Sequence, residues 1–388
     1  MQRFLKNILL SSSILALTTT VAAAEPKVVV SIKPVHSLVA AVMEGVGTPD
    51  LIVQGAASPH DYALKPSQAA ALEQADLVFW VGHELENFLE KPIETIAANA
   101  TAIELMDAKG LKTYGFREDG AFEAHDHDHG DGHDDHAEAS HDDHDHEEHA
   151  DKDDHDHDHD HDHASEEGHD DHKHEEHAEH DHDDHKHEEH ASEEGHDDHD
   201  HEEHAEGGHE GHDHGSVDPH VWLDPANAKI MVHEIEHALS DADPDNAAKY
   251  EANAEALEAK LDALAEEISS TVASVQGKPY IVFHDAYQYF EKRFGMVPAG
   301  SITVSPEVAP GAERVRKIQD KIKSLDATCV FAEPQFEPKL VSTVIEGTNA
   351  KSGVIDPLGA TLSDGPDLYA NLLRNMAAAM KGCLSEAS

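Results

Sequence analysis

The stretch from His125 to His214 leaves no material for a hydrophobic core: apart from alanine, glycine, serine and three lysines, every residue in it is histidine, aspartate or glutamate. Without apolar side chains it cannot bury enough surface to offset the entropy lost on ordering. It therefore reads as a disordered, solvated insert between folded parts. Thirty of the chain's 37 histidines lie there. A solvated charge run would need none of them, whereas imidazoles and carboxylates at one- to three-residue spacing are good ligands for a borderline divalent ion. The tract is expected to bind metal loosely and at many points. A ten-residue segment beginning at His163 recurs at His190, a period of 27 residues without a solenoid's apolar positions, as tandem duplication of a flexible arm would leave it. The arm's 40 acids against three lysines give it a charge of -37 out of the chain's -54, and the remainder is still acidic. A basic nucleic-acid footprint is absent, and like-charge repulsion opposes direct binding to anionic lipid.

Outside the arm the chain reads as an exported α/β protein. Arg3 and Lys6 precede an apolar run from Ile8 to Val21 that ends in Ala22-Ala23-Ala24. Residues 1–24 thus form a secretory signal peptide with cleavage before Glu25, too short and serine-rich for a membrane anchor. With no cysteine near the cleavage site to carry a lipid, the mature chain is expected to be soluble in a bacterial periplasm. Cys329 and Cys383, in such an oxidising compartment, are expected to form one disulfide tying the last helix to a strand; two buried thiols are the alternative.

Strand and helix patterns alternate: strands at Val28 to Ile32, Leu51 to Val53, Leu77 to Val81 and Ala102 to Leu105, with helices at Val35 to Gly47, Pro66 to Ala75 and Glu86 to Ala98. After the arm come a helix from Pro225 to Leu239 and a long one from Asp243, whose apolar or small positions from Tyr250 to Val275 keep one narrow stripe. A second series follows, with strands near Tyr280 to Phe283, Ser301 to Val304, Thr328 to Phe331 and Ser352 to Ile355. The expected architecture is two Rossmann-like α/β lobes with mostly parallel sheets, at 25–242 (interrupted by the 125–214 arm) and 277–388. One long rigid helix at 243–276 joins them. Two open sheets facing each other present their strand carboxyl ends at a shared cleft, the usual ligand position in such sheets.

Three isolated histidines fall at such positions: His60 after the second strand, His220 between the arm and a helix, and His284 at the end of the strand that begins at Tyr280. Asp356 ends the last strand and is a fourth candidate. Singly each histidine reads as structural. Together, beside a metal-attracting arm, they make a three-histidine site whose fourth ligand is a carboxylate or water. That donor set suits zinc better than manganese, which prefers oxygen.

At Ser58-Pro59-His60-Asp61-Tyr62, Asp218-Pro219-His220-Val221-Trp222-Leu223-Asp224-Pro225, Phe283-His284-Asp285-Ala286-Tyr287 and Ile355-Asp356-Pro357-Leu358-Gly359, the chain resembles the periplasmic solute-binding proteins of zinc and manganese ABC importers, the zinc-uptake members above all. The resemblance covers nearly all of the mature chain. It implies metal ligation by His60, His220 and His284, with Asp356 supplied by the fourth motif. Histidine at 284, where manganese members carry glutamate, points to zinc. Pro59 departs from zinc members that have glutamate immediately before the first histidine, which leaves the fourth position between Asp356 and water. The resemblance further implies zinc as transported ligand and not as catalytic cofactor, an importer permease and a periplasmic zinc chaperone as partners, a monomeric receptor and no enzyme activity. Three alternatives stand beside it: a manganese receptor, a periplasmic metal buffer, and a zinc protease suggested by His233-Glu234-Ile235-Glu236-His237. Against the protease, Met231, Ile235, Ala238 and Leu239 define that helix's apolar face and turn His233 and His237 to solvent. Asp243 also stands where metzincins have their third histidine. His36 and His83 read as structural or surface residues.

Overall fold

The structure, a computed structural model, describes residues 25–117, 217–303, 306, 309–325 and 329–385; the expected signal peptide and the histidine-rich arm lie outside the described residues. Strand β1 (Val28–Val30) is three β-branched residues buried on both faces, as the centre of a parallel sheet requires. It pairs with β2 (Asp50–Leu51) on one side and β3 (Leu77–Trp80) on the other, and β4 (Thr101–Glu104) closes the order β2-β1-β3-β4, all parallel. A second sheet repeats this plan with β5 (Tyr280–His284), β6 (Pro298–Thr303), β7 (Cys329–Ala332) and β8 (Lys351–Val354) in the order β6-β5-β7-β8. In that order the chain leaves β5 toward one edge and returns to build the other from β7. The topological switch point therefore lies between the carboxyl ends of β5 and β7.

The helices between strands are α1 (Lys33–Val42), α2 (Pro66–Glu73) and α3 (Asn87–Thr95) in the first lobe, and α6 (Gln288–Phe294), α7 (Ala312–Leu325), α8 (Lys339–Ile345) and α9 (Leu368–Ser385) in the second. Helix α1 starts earlier than its apolar spacing suggests because Pro34 suits a first turn. It also stops earlier, at Val42, ahead of Gly45 with φ 80°. The two lobes meet along α4 (Pro225–Ala242) and α5 (Ala247–Val272). Asp224 caps α4 by accepting from Ala226 N, with Pro225 in the first turn. The same carboxylate receives Arg293 Nε at 2.5 Å and Nη2 at 2.8 Å from α6, which fixes the start of α4 to the second lobe.

Helix α5 runs 26 residues, roughly 39 Å. Its buried positions Tyr250, Ala254, Leu257, Leu261, Leu264, Ile268 and Val272 recur every three or four residues, the stripe expected from the sequence. The helix touches α1 and α4 as well as α6 and α9. One apolar core runs through it, from Val30 and Met231 to Tyr280 and Met376. In β5 the side chains alternate: Tyr280 and Val282 join this core, while Ile281 and Phe283 join a smaller cluster with Val330, Ile318 and Val344. Helix α9 reinforces the connection, since Tyr369 N donates to Ser37 Oγ in α1 at 3.0 Å and Ser37 Oγ donates to Pro366 O at 3.1 Å. More than one helix thus spans the two sheets.

At the roots of the arm, Gly115 and Val217 form an isolated antiparallel bridge. Beside it Arg117 donates to Asp285 and, through Nη1 at 2.7 Å, to the buried Glu291. Cys329 of β7 and Cys383 of α9 are disulfide-bonded across a sequence separation of 54. Closing a loop of that length removes about 4 kcal/mol of chain entropy from the unfolded state on the entropic account. Replacing both cysteines with alanine should lower the unfolding free energy by about 2–4 kcal/mol in guanidinium titrations of the metal-free protein. A change below about 0.5 kcal/mol would show that the crosslink does not constrain the unfolded chain as that account requires.

Candidate metal centre

Each of the three histidines arrives from a different element. His60 lies in the loop after β2, with its backbone N–H donating to Ser58 Oγ at 3.3 Å. His220 precedes the single helical turn Val221–Leu223 that leads into α4, and His284 is the last residue of β5. The strand-end position of His284 follows from the parallel order of the second sheet, because the carboxyl end of β5 borders the switch point. Residues remote in sequence are thereby brought together: ring centroids stand 5.4 Å apart for His60 and His220, 5.7 Å for His60 and His284, and 5.2 Å for His220 and His284. One nitrogen from each lies within 4.8 Å of the others. His220 and His284 are buried and His60 half-buried.

The orientation of two rings is set from behind. His220 Nδ1 is 2.7 Å from Asp218 Oδ1, and the His220 backbone N–H donates to the same oxygen at 3.0 Å. His284 Nδ1 is 2.7 Å from Glu333 Oε1. An ionised carboxylate accepts only, so each Nδ1 carries the proton and each Nε2 keeps its lone pair. Those two Nε2 atoms face each other at 3.3 Å. Two nitrogens bound tetrahedrally to one zinc, each about 2.05 Å from it, stand about 3.3 Å apart. The spacing is therefore already that of a coordination edge.

Asp218 is itself held: Gln288 Nε2 donates to its Oδ2 at 3.2 Å, and Tyr289 donates to its carbonyl at 2.7 Å. Trp222 packs on the His220 ring at 5.3 Å and donates its Nε1–H to Pro357 O at 2.9 Å. A cavity of about 10 Å³ remains among the histidines, Pro59, Glu333 and Phe336. That is room for about one water-sized species.

Burial holds the His60 and His220 imidazoles well below their ordinary 6.5, and the neighbouring imidazoles push the same way. Both are neutral at physiological pH and ready to ligate. Burial likewise pushes the Asp218 carboxyl up to about 6. With Asp218 and Glu333 behind two of them, the three imidazoles offer a divalent cation nitrogen ligands without surrounding it with anions.

Asp356 does not join the group. Its Oδ1 accepts from Gln335 Nε2 at 2.9 Å, Leu358 N at 3.1 Å and Gly359 N at 2.9 Å, and its Oδ2 accepts from Ala360 N at 2.6 Å. With four donors already on it, the carboxylate anchors the turn that presents Pro357 O to Trp222. The residues that sequence reasoning missed are the two carboxylates at the rings. Asp218 was legible, two residues before His220. Glu333 follows β7, and the rule that ligands gather at strand carboxyl ends of the switch point would have marked it.

The other histidines among the described residues stand elsewhere. His36 Nε2 meets Pro49 O at 3.0 Å, and His83 lies between Glu84 and Glu104. Met231, Ile235 and Leu239 of α4 are buried while His233 and His237 are exposed, so the protease-like segment faces solvent.

The model of the zinc-uptake complex component A family, periplasmic (ZnuA), matches residues 28–383. A high-affinity zinc uptake system protein ZnuA of Brucella suis is 54% identical over 359 residues, covering 92% of each chain. Those of Paracoccus denitrificans and Yersinia pestis are 39% and 33% identical, the latter covering 98% of each chain. Among solved structures, a crystal structure of ZnuA superposes with a TM-score of 0.62 at 20% identity, covering 93% of this chain and 99% of that one. The laminin-binding protein Lmb of Streptococcus agalactiae, bifunctional as adhesin and metal transporter, gives 0.61 at the same identity, covering 92% of this chain and 99% of that one. These likenesses carry the fold, and the sequence relatives carry the family: the chain is a member of the ZnuA family of periplasmic zinc-uptake components.

Proposed function

We propose that this chain is the periplasmic receptor of an ABC-type zinc importer, taking Zn²⁺ at His60, His220 and His284 and passing it to the membrane permease. The observation that carries this reading is the pair of Nε2 atoms facing across 3.3 Å, each with its Nδ1 bound to a buried carboxylate. Two Nε2 atoms held at that distance, with both Nδ1 positions taken by carboxylates, are satisfied together by a cation shared between them, a proton or a metal ion. Capture requires the hydrated ion to exchange waters for three imidazoles, and the small cavity admits one water as fourth ligand. An all-imidazole set favours zinc over manganese.

Residues 1–24 act as the export signal and the mature protein works as a soluble periplasmic monomer. The lobes 25–242 and 277–388 are joined by the helical segment 243–276. The 125–214 arm collects zinc at weak sites, and a periplasmic zinc chaperone is a further partner. The chain has no catalytic role, consistent with its family and with the exposed placement of His233 and His237.

Zinc titrations should separate one tight site from the arm's weak ones. Removing residues 124–215 should leave one tightly bound zinc, and alanine at His60, His220 or His284 should abolish that site while sparing the arm. If the arm deletion removed tight binding in calorimetry, the buried site would not be the receptor site. Asp218→Asn and Glu333→Gln should weaken tight binding about 10- to 100-fold with the fold retained by circular dichroism. Wild-type affinity in both would mean the carboxylates do not orient the rings.

Protons should distinguish the two kinds of site. An ordinary imidazole at pH 6.5 gives up about half a proton when metal binds. His60 and His220 have folded values lowered well below that, so they are already neutral and release little there. The arm's dense carboxylates favour the imidazolium and raise its histidines, so it should release more. Calorimetry in buffers of different ionisation enthalpy should show this. Zinc retention followed from pH 7.5 to 5 should show the arm emptying first, and the reverse order would overturn the assignment.

A further inference from the structure

Helix α4 carries two histidines that the buried centre does not use. His233 and His237, one turn apart on its solvent face, aim their Nε2 atoms at each other across 3.2 Å, with ring centroids 4.4 Å apart and planes at 80°. Without metal, one ring donates to the other. Two exposed imidazoles gain little from that bond, since water offers each nitrogen the same interaction. The spacing is again that of a coordination edge, between the roughly 2.9 Å of a right-angled pair and the roughly 3.3 Å of a tetrahedral one.

Glu236 brings a carboxylate oxygen within 4.8 Å of one ring nitrogen of each histidine. Ser240 Oγ donates to Glu236 Oε1 at 2.7 Å and holds that side chain along the same face. The i, i+3, i+4 spacing makes this convergence a property of the helix and not of a mobile loop.

We propose that His233, Glu236 and His237 form a second site for a divalent transition-metal ion, with two imidazoles and one carboxylate as its protein donors and the remaining positions open to water. Two imidazoles select zinc, copper(II) or nickel over calcium and magnesium, which prefer oxygen. The site shares no donor with the buried centre and does not depend on the zinc-receptor reading. His233 and His237 are exposed, in contrast to the buried rings of His220 and His284. The α4 site therefore binds more weakly and exchanges faster.

The test is residue-resolved, because the arm would dominate any bulk titration. The full chain is modified with diethyl pyrocarbonate in buffers that clamp free Zn²⁺ independently of uptake by the arm, and carbethoxylation of each histidine is read by peptide mass spectrometry. Metal on Nε2 should protect His233 and His237 with one shared midpoint. In His233→Ala the two-imidazole chelate is gone, and the His237 midpoint should rise at least about tenfold, since the second imidazole no longer acts at high effective concentration. Glu236→Gln should raise it several-fold. Alanine at the exposed His233 and the isosteric change at the half-buried Glu236 keep α4 intact, and zinc at the buried centre should be unchanged in both variants. An equal His237 midpoint in His233→Ala and the unaltered chain would overturn the chelate. An equal midpoint in Glu236→Gln would remove the carboxylate and with it the three-donor site.

Discussion

The metal centre depends on where two protons sit. An imidazole can ligate through either nitrogen, and the choice is made here by Asp218 and Glu333, which hold the Nδ1 protons of His220 and His284 and leave both Nε2 lone pairs aimed at one point. Burying carboxylates is unfavourable in itself, as the raised Asp218 value records. A doubly charged ion a few ångströms away reverses that balance. A cation held there would couple stability to selectivity, because the donors it meets are nitrogens.

The fold brings those groups together by repetition. Two sheets of the same strand order each present carboxyl ends, and three helices, α4, α5 and α9, join them through one continuous core. Hinged receptors with extended linkers close by changing a few backbone angles. A core that passes through a 26-residue helix must be repacked to do the same.

Much of this was readable from the chain. Buried parallel strands announce themselves as continuous apolar runs, and the α5 stripe kept its period over seven buried positions. The three histidines stood out because each falls at the end of a strand or ahead of a helix. Asp356 is ambiguous in sequence for a physical reason: an aspartate before a Pro-Leu-Gly turn serves equally as ligand or as acceptor for turn amides, and here its oxygens accept from turn amides. Glu333 was hidden by its sequence separation of 49 from His284, across β6, α7 and β7. The extra crossings by α9 were invisible because apolar periodicity reveals a buried face but not the partner that covers it.

The Gly115–Val217 bridge bears on how such a chain can change over evolutionary time. It brings the two ends of the inserted segment together beside residues already fixed by Arg117 and Asp218. Closing a longer loop is inexpensive because the entropy grows only with the logarithm of length: adding one 27-residue unit to a segment of this size costs about 0.2 kcal/mol. Replication slippage in a histidine-acid repeat can therefore lengthen or shorten the arm almost neutrally for the fold. Arm length is thereby left free to vary while the residues around His60, His220 and His284 stay in place.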